Sequence, residues 1–133
     1  NSGYPGNTGP LVNGFLEKTK DNDYRQKLLN EIIPLNNACI HYLIEGDIES
    51  FFLSLKDLSL WQFKYFTEMI PGKLFPLWKE GLERDDYYLK LCGSGGGGFF
   101  LGFTIDYDHA EDIMKKKGFD IMPVFKNSHF KGE

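Results

Sequence analysis

The sequence predicts an α+β domain, and three observations carry that prediction. As far as Leu82, apolar residues recur at intervals of three and four, the spacing of amphipathic helices. From Tyr87 the period drops to two, the spacing of strands. A further helical stretch and a last strand-like run close the chain, so the helices and strands are largely segregated rather than strictly alternating.

The first helix is expected from about Pro10 to Lys18, with Thr8 as its N-cap and Pro10 in its first turn. Asp21-Asn22-Asp23 breaks the pattern and caps a second helix. Its apolar stripe runs Tyr24, Leu28, Ile32, Leu35, Cys39, Tyr42 and Leu43. Pro34 lies inside that stripe and should kink or split the helix, because it lacks a donor and clashes with the preceding turn. Gly46 suits the left-handed position after a helix, and Asp47 can cap the next one. Ile48 to Met69 then forms a long third stripe, and a shorter helix with Pro76 in its early part carries Leu74, Leu77, Trp78 and Leu82.

Tyr87 to Cys92 and Phe99 to Ile105 both alternate, and the second run is apolar on one face and mixed on the other. Asp108 is expected to cap a helix that stops at Gly118. Phe119 to Phe125 reads as a final strand, placed at an edge by Pro123. Strand, turn, strand, helix and returning strand make the second half of a ferredoxin-like α+β layout, an antiparallel sheet on a helical layer. That layout needs one more strand ahead of the first helix. The opening Asn-Ser-Gly-Tyr-Pro-Gly-Asn-Thr-Gly-Pro is loop-like, so residues 1–133 are expected to be part of a longer polypeptide.

With 133 residues, 41% hydrophobic and 16% aromatic, the chain has material for one packed core. Its net charge of −4 and scattered cations argue against nucleic acid or an anionic membrane as partner. No apolar run approaches the roughly 20 residues that span a bilayer, and the opening residues do not read as a signal peptide. Cys39 and Cys92 lie in apolar surroundings and read as two buried free thiols, with cytosol the expected compartment.

Between the two alternating runs stands Gly93-Ser94-Gly95-Gly96-Gly97-Gly98, five glycines and one serine. A dinucleotide fingerprint would open a helix, whereas this run opens a strand. A Walker A loop would need Lys and Ser or Thr where Phe99 and Phe100 stand. The side-chain-free backbone can turn several N–H groups toward one anion, or let another loop approach closely, and spacing alone does not choose between these. His41, His109 and His129 have no metal-like spacing. Asp85-Asp86 and Asp106 to Asp108 read as turn and capping residues, and Lys115-Lys116-Lys117 as a solvated helix end.

Lys90-Leu-Cys-Gly-Ser-Gly-Gly-Gly-Gly-Phe99 resembles the third conserved motif of the GHMP small-molecule kinases. Asn1-Ser-Gly-Tyr-Pro-Gly-Asn-Thr-Gly-Pro-Leu-Val12 is similar to the stretch after the first strand of the C-terminal domain in mevalonate kinases, except that Gly6 stands where those enzymes usually carry Arg. The resemblance covers nearly the whole chain, as the C-terminal domain only. It implies γ-phosphoryl transfer from ATP, with Mg, to a small alcohol in isoprenoid biosynthesis, or else to a sugar. By resemblance, Gly93, Ser94, Gly95, Gly96, Gly97 and Gly98 line the cleft near the phosphates, with Asn7 and Thr8 close by. The phosphate loop and the catalytic Asp and Lys belong to an N-terminal domain. No catalytic residue and no metal ligand is therefore expected here, and the chain alone should be inactive. A non-catalytic ligand-binding or interaction module with the same layout stays open, as does pairing with a second copy.

Overall fold

The computed structural model describes residues 8–92 and 99–124. Helix α1 (Thr8–Lys18) leads into α2 (Asn22–Lys27), which is capped by the Asp21 carboxylate accepting the N–H groups of Asp23 and Tyr24. A π-helical turn, Leu28–Ile32, joins α2 to α3 (Ile33–Glu45). Pro34 explains that turn. A continuous α-helix would drive its ring into the carbonyl of the preceding turn. The widened turn, in which the Ile33 N–H reaches back to the Leu28 carbonyl, absorbs the conflict and leaves Pro34 at the start of α3. The expected split is thus a change of helical pitch.

Gly46, at φ 75°, ends α3. The N–H of Gly46 bonds to Leu43 and that of Asp47 to Tyr42, so the last carbonyls are satisfied, and the Asp47 carboxylate then caps α4 (Ile48–Tyr65) through the Ser50 N–H. Two 3₁₀ turns, Thr67–Met69 and Gly72–Leu74, lead into α5 (Phe75–Arg84), with Pro76 in its first turn. Strands β1 (Tyr88–Leu91) and β2 (Phe100–Phe103) pair antiparallel in the register Tyr88 to Phe103 and Leu91 to Phe100. Helix α6 (Tyr107–Lys116) follows.

Among the described residues the fold is α+β, predominantly helical around this two-stranded sheet. Helices cover both faces of the sheet, which corrects the expectation of a single helical layer. Because paired residues share a face, Leu89, Leu91 and Phe100 point one way and Tyr88 and Phe103 the other. The first set packs with Leu77 and Trp78 of α5 and with Ala110 and Met114 of α6. The second packs with Cys39 of α3 and with Phe51, Leu55 and Leu58 of α4. β1 is consequently buried on both sides, which is why Tyr87 to Leu91 is almost wholly apolar.

Two further expectations are corrected. Asp106, not Asp108, caps α6, its carboxylate accepting the His109 N–H. The Thr104 hydroxyl decides this, since it accepts the Asp106 N–H and donates to the carbonyl of Asp86, fixing the chain at the point where the helix begins. The second is the final strand, because residues 119–124 form none. After Gly118, at φ 83°, the Phe119 N–H returns to Met114 and that of Gly118 to Lys115, a Schellman closure. It folds Phe119 into the core beside Met114 instead of alongside β2. Lys73 sits over the Phe119 ring at 5.0 Å. Phe125, the expected end of that strand, lies outside the described residues.

Candidate functional site

The sheet brings Cys92 and Phe99, the two ends of the glycine run, out of adjacent antiparallel strands. Gly93, Ser94, Gly95, Gly96, Gly97 and Gly98 lie outside the described residues, as does Asn7. Thr8 opens α1, and its side chain lies outside them too. The described residues place the run's root, where the chain leaves β1 and enters β2.

At that root two side chains meet the backbone of Leu91. The Leu91 N–H donates to Oε1 of Gln62 at 3.0 Å, and the Lys90 ammonium donates to the Leu91 carbonyl at 2.9 Å. Gln62 comes from the buried side of α4 and is only 7% exposed. A buried amide costs free energy unless it is bonded, and here it occupies the edge of β1 that β2 leaves open. Sequence reasoning missed this residue. The signal was present, because Gln62 continues the spacing of Phe51, Leu55 and Leu58, a polar side chain on an apolar stripe. Lys90 is half-buried, on the sheet face shared with Tyr88.

The remaining candidates resolve as structural parts. Asp85 ends α5 in the left-handed conformation at φ 59°. Its carboxylate takes hydrogen bonds from Lys56 at 2.6 Å and from the Tyr88 hydroxyl at 2.7 Å, and these hold it below the usual carboxylate range. Asp86 lies 3.3 Å from Nε2 of His109. Burial pushes the phenols of Tyr87 and Tyr88 up, and Tyr87 donates to the Leu77 carbonyl at 2.6 Å. Among the described residues no group of three or more His, Cys, Asp or Glu could hold a metal ion. Cys39 is buried, with its thiol pushed up by that burial, whereas Cys92 is exposed, which corrects the expectation of two buried thiols. The difference follows from position, since Cys92 has left the strand.

A shallow cleft of about 370 Å³ lies between the end of α1, the start of α2 and the end of α4, lined by none of the hairpin residues. Lys18 and Glu68 pair across it. The Tyr24 hydroxyl at its wall is buried and has no hydrogen-bond partner among the described residues, and burial, with Glu68 nearby, pushes it up to about 12.

Comparison with protein-family models, with curated proteins and with solved structures finds no match. Among the described residues no helix is long and apolar enough to cross a membrane.

Proposed function

We propose that this chain is the C-terminal domain of an ATP-dependent small-molecule kinase of the GHMP type, transferring the γ-phosphoryl group of MgATP to an alcohol, with mevalonate the leading acceptor. The supporting observation is that Lys90 to Phe99, the stretch resembling the family's third motif, bridges two antiparallel strands, β1 and β2. A tether between domains would have no reason to start and finish in paired strands, whereas a loop that must present bare backbone at a fixed place needs both ends held.

In this reading the glycines offer N–H groups to phosphate oxygens and leave room for the acceptor. Phosphoryl transfer is catalysed mainly by positioning and charge stabilisation, so a loop without reactive side chains can still decide the rate. Magnesium and the reacting groups would be held mainly by the N-terminal domain. What this proposal keeps of the ferredoxin-like layout is the hairpin followed by α6, with a further strand paired along the outer edge of β2.

The test is ATP turnover by the full-length gene product against mevalonate, phosphomevalonate, homoserine and galactose. Turnover with mevalonate is expected, galactose alone would move the assignment to a sugar kinase, and turnover with none would end the enzymatic reading. Gly96→Val should lower kcat/KM at least tenfold, on the order of 1.4 kcal/mol or more, with an unchanged unfolding midpoint. Equal activity would reduce the loop to a turn.

One observation favours a second reading, an interaction module. The outer face of α3 exposes Ile33, Ile40 and Ile44, the last 78% accessible. Absence of turnover together with concentration-dependent association would favour it.

A further inference from the structure

We propose that the outer face of α3 is a two-fold interface on which a second copy of this chain lies antiparallel, with the axis between Asn36 and Asn37. Such a pair rests on the interaction reading of that face and is independent of the kinase reading.

A helix that faces water normally carries charge on its outer side. α4 does so, with Glu49, Asp57 and Lys64 set among the exposed Leu53 and Leu60. Between Glu31 and Glu45, by contrast, the chain has no Asp, Glu, Lys or Arg. Ile33, Ile40 and Ile44 recur there at intervals of seven and four, on one face of α3, and Leu29 precedes them in the π-helical turn. They are exposed by 50% (Leu29), 47% (Ile33), 50% (Ile40) and 78% (Ile44), with exposed Asn36, Asn37 and Leu43 among them. Depletion of charge at the centre of an exposed apolar patch is the compositional mark of a contact surface.

The spacing selects the occupant. The midpoint of Ile33 and Ile40 and the midpoint of Leu29 and Ile44 both fall between Asn36 and Asn37. A stripe that reads alike in both directions is self-complementary under a two-fold axis through that point. Ile33 then meets the partner's Ile40, and Leu29 meets the partner's Ile44. A foreign partner would give no reason for that symmetry. The asparagines come together at the axis, where each amide can both donate and accept, and one polar contact in an apolar seam fixes its register. Charge sets the direction. Parallel copies would bring Glu45 and Asp47 level with their own counterparts. Antiparallel copies turn that end toward Arg25 and Lys27, with Asp21 and Asp23 a turn farther out.

Leu29 to Ile44 spans about 23 Å of helix. A second copy along it buries on the order of 1,000 Å² in total, the low end for a specific pair, so the dimer is transient.

Sedimentation velocity on the present chain and on the full-length gene product should show a monomer–dimer equilibrium at tens of micromolar. Ile40→Lys should weaken it at least tenfold with an unchanged unfolding midpoint. Leu53→Lys, at a comparably exposed aliphatic of α4, should leave it within twofold. Register is read by oxidation in a Cys92→Ser background, which removes the exposed thiol. Mixed Ile33→Cys and Ile40→Cys chains should join to each other, and neither should join to itself. A monomer at every concentration, equal sensitivity to Leu53→Lys, or either thiol variant joining to itself would overturn the two-fold. So would a full-length product that stays monomeric while the chain alone pairs, because the rest of the polypeptide then covers this face. ATP turnover is scored separately and moves only the kinase reading.

Discussion

The two faces of the hairpin are packed in different ways. On the α5 and α6 face, apolar burial is combined with directional bonds: Trp78 donates to the Ser59 carbonyl at 3.1 Å and Tyr87 to the Leu77 carbonyl at 2.6 Å, both buried. On the α3 and α4 face, Cys39, Phe51, Leu55, Leu58 and Tyr88 meet mainly through shape, with Phe51 edge-on to Phe52 and Phe103. Polar ties on that side lie around the ring cluster and not within it: Lys56 with Asp85 and Tyr88 sits in reach of solvent, and Ser59 and Gln62 of α4 turn their bonds to Trp78 and to the Leu91 N–H. A face fixed by buried bonds resists repacking, whereas one fixed by ring contacts tolerates it, because volume can be redistributed but an orphaned donor cannot be hidden.

The largest test of this contrast removes one anchor from each face. Trp78 and Leu55 are each 1% exposed. Trp78→Ala should cost about 4 kcal/mol and Leu55→Ala about 3 kcal/mol in urea unfolding. Equal tolerance of Trp78→Phe and Leu55→Met would break the comparison, since only the tryptophan also gives up a buried N–H donor.

A second test uses glycines. A Cβ on Gly81 would lie 2.4 Å from the Tyr87 ring and 2.6 Å from its carbonyl, so the backbone leading into β1 would have to move. Overpacking of about 3 kcal/mol, less about 1 kcal/mol of gained helix propensity, leaves Gly81→Ala destabilised by about 2 kcal/mol. Gly14, in α1, has nothing within 4 Å, so Gly14→Ala should stabilise by up to about 1 kcal/mol. The opposite signs are the point, and calorimetric midpoints would show them.

The neighbouring tyrosines allow a finer comparison. Tyr87→Phe should cost about 1 kcal/mol, and Tyr88→Phe only a few tenths, because the carboxylate it leaves behind is exposed enough to take water. Double-mutant cycles with Asp85→Asn would assign the remainder.

The smallest effect is a pH dependence. The hydrogen bonds of Lys56 and Tyr88 lower Asp85 from its ordinary 3.8. Their contribution, under about 1 kcal/mol for so exposed a pair, is complete above that value and lost as pH falls through the lower folded-state one. Lys56→Met should flatten that part of the stability curve between pH 5 and 2.

Much of this framework was legible in the residues. Asp21, Gly46 and Asp47 act where local chemistry placed them, and the change of period at Tyr87 marks β1, because caps and alternation are properties of neighbours in sequence. What escaped depends on distant partners. Asp108 is as good a cap as Asp106 until Thr104 is known to be held by Asp86. Phe119 to Val124 has the composition of a strand, yet Gly118 turns it into the core before any ladder can form. Gln62 looks like one more polar helix residue until Leu91 arrives beside it. For the candidate site, the glycine motif and its place between two strands were legible in the residues, whereas the Gln62 contact at its root was not, because it exists only once α4 lies beside β1.

The burial of β1 on both sides has a consequence for synthesis. A nascent chain that has reached Asp86 already holds α3, α4 and α5, yet Leu55 and Leu58 on one surface and Leu77 and Trp78 on another still await the strand that covers them. The residues after Asp86 thus seal two greasy interfaces at once, and a product released before they emerge would be a target for chaperones and proteases.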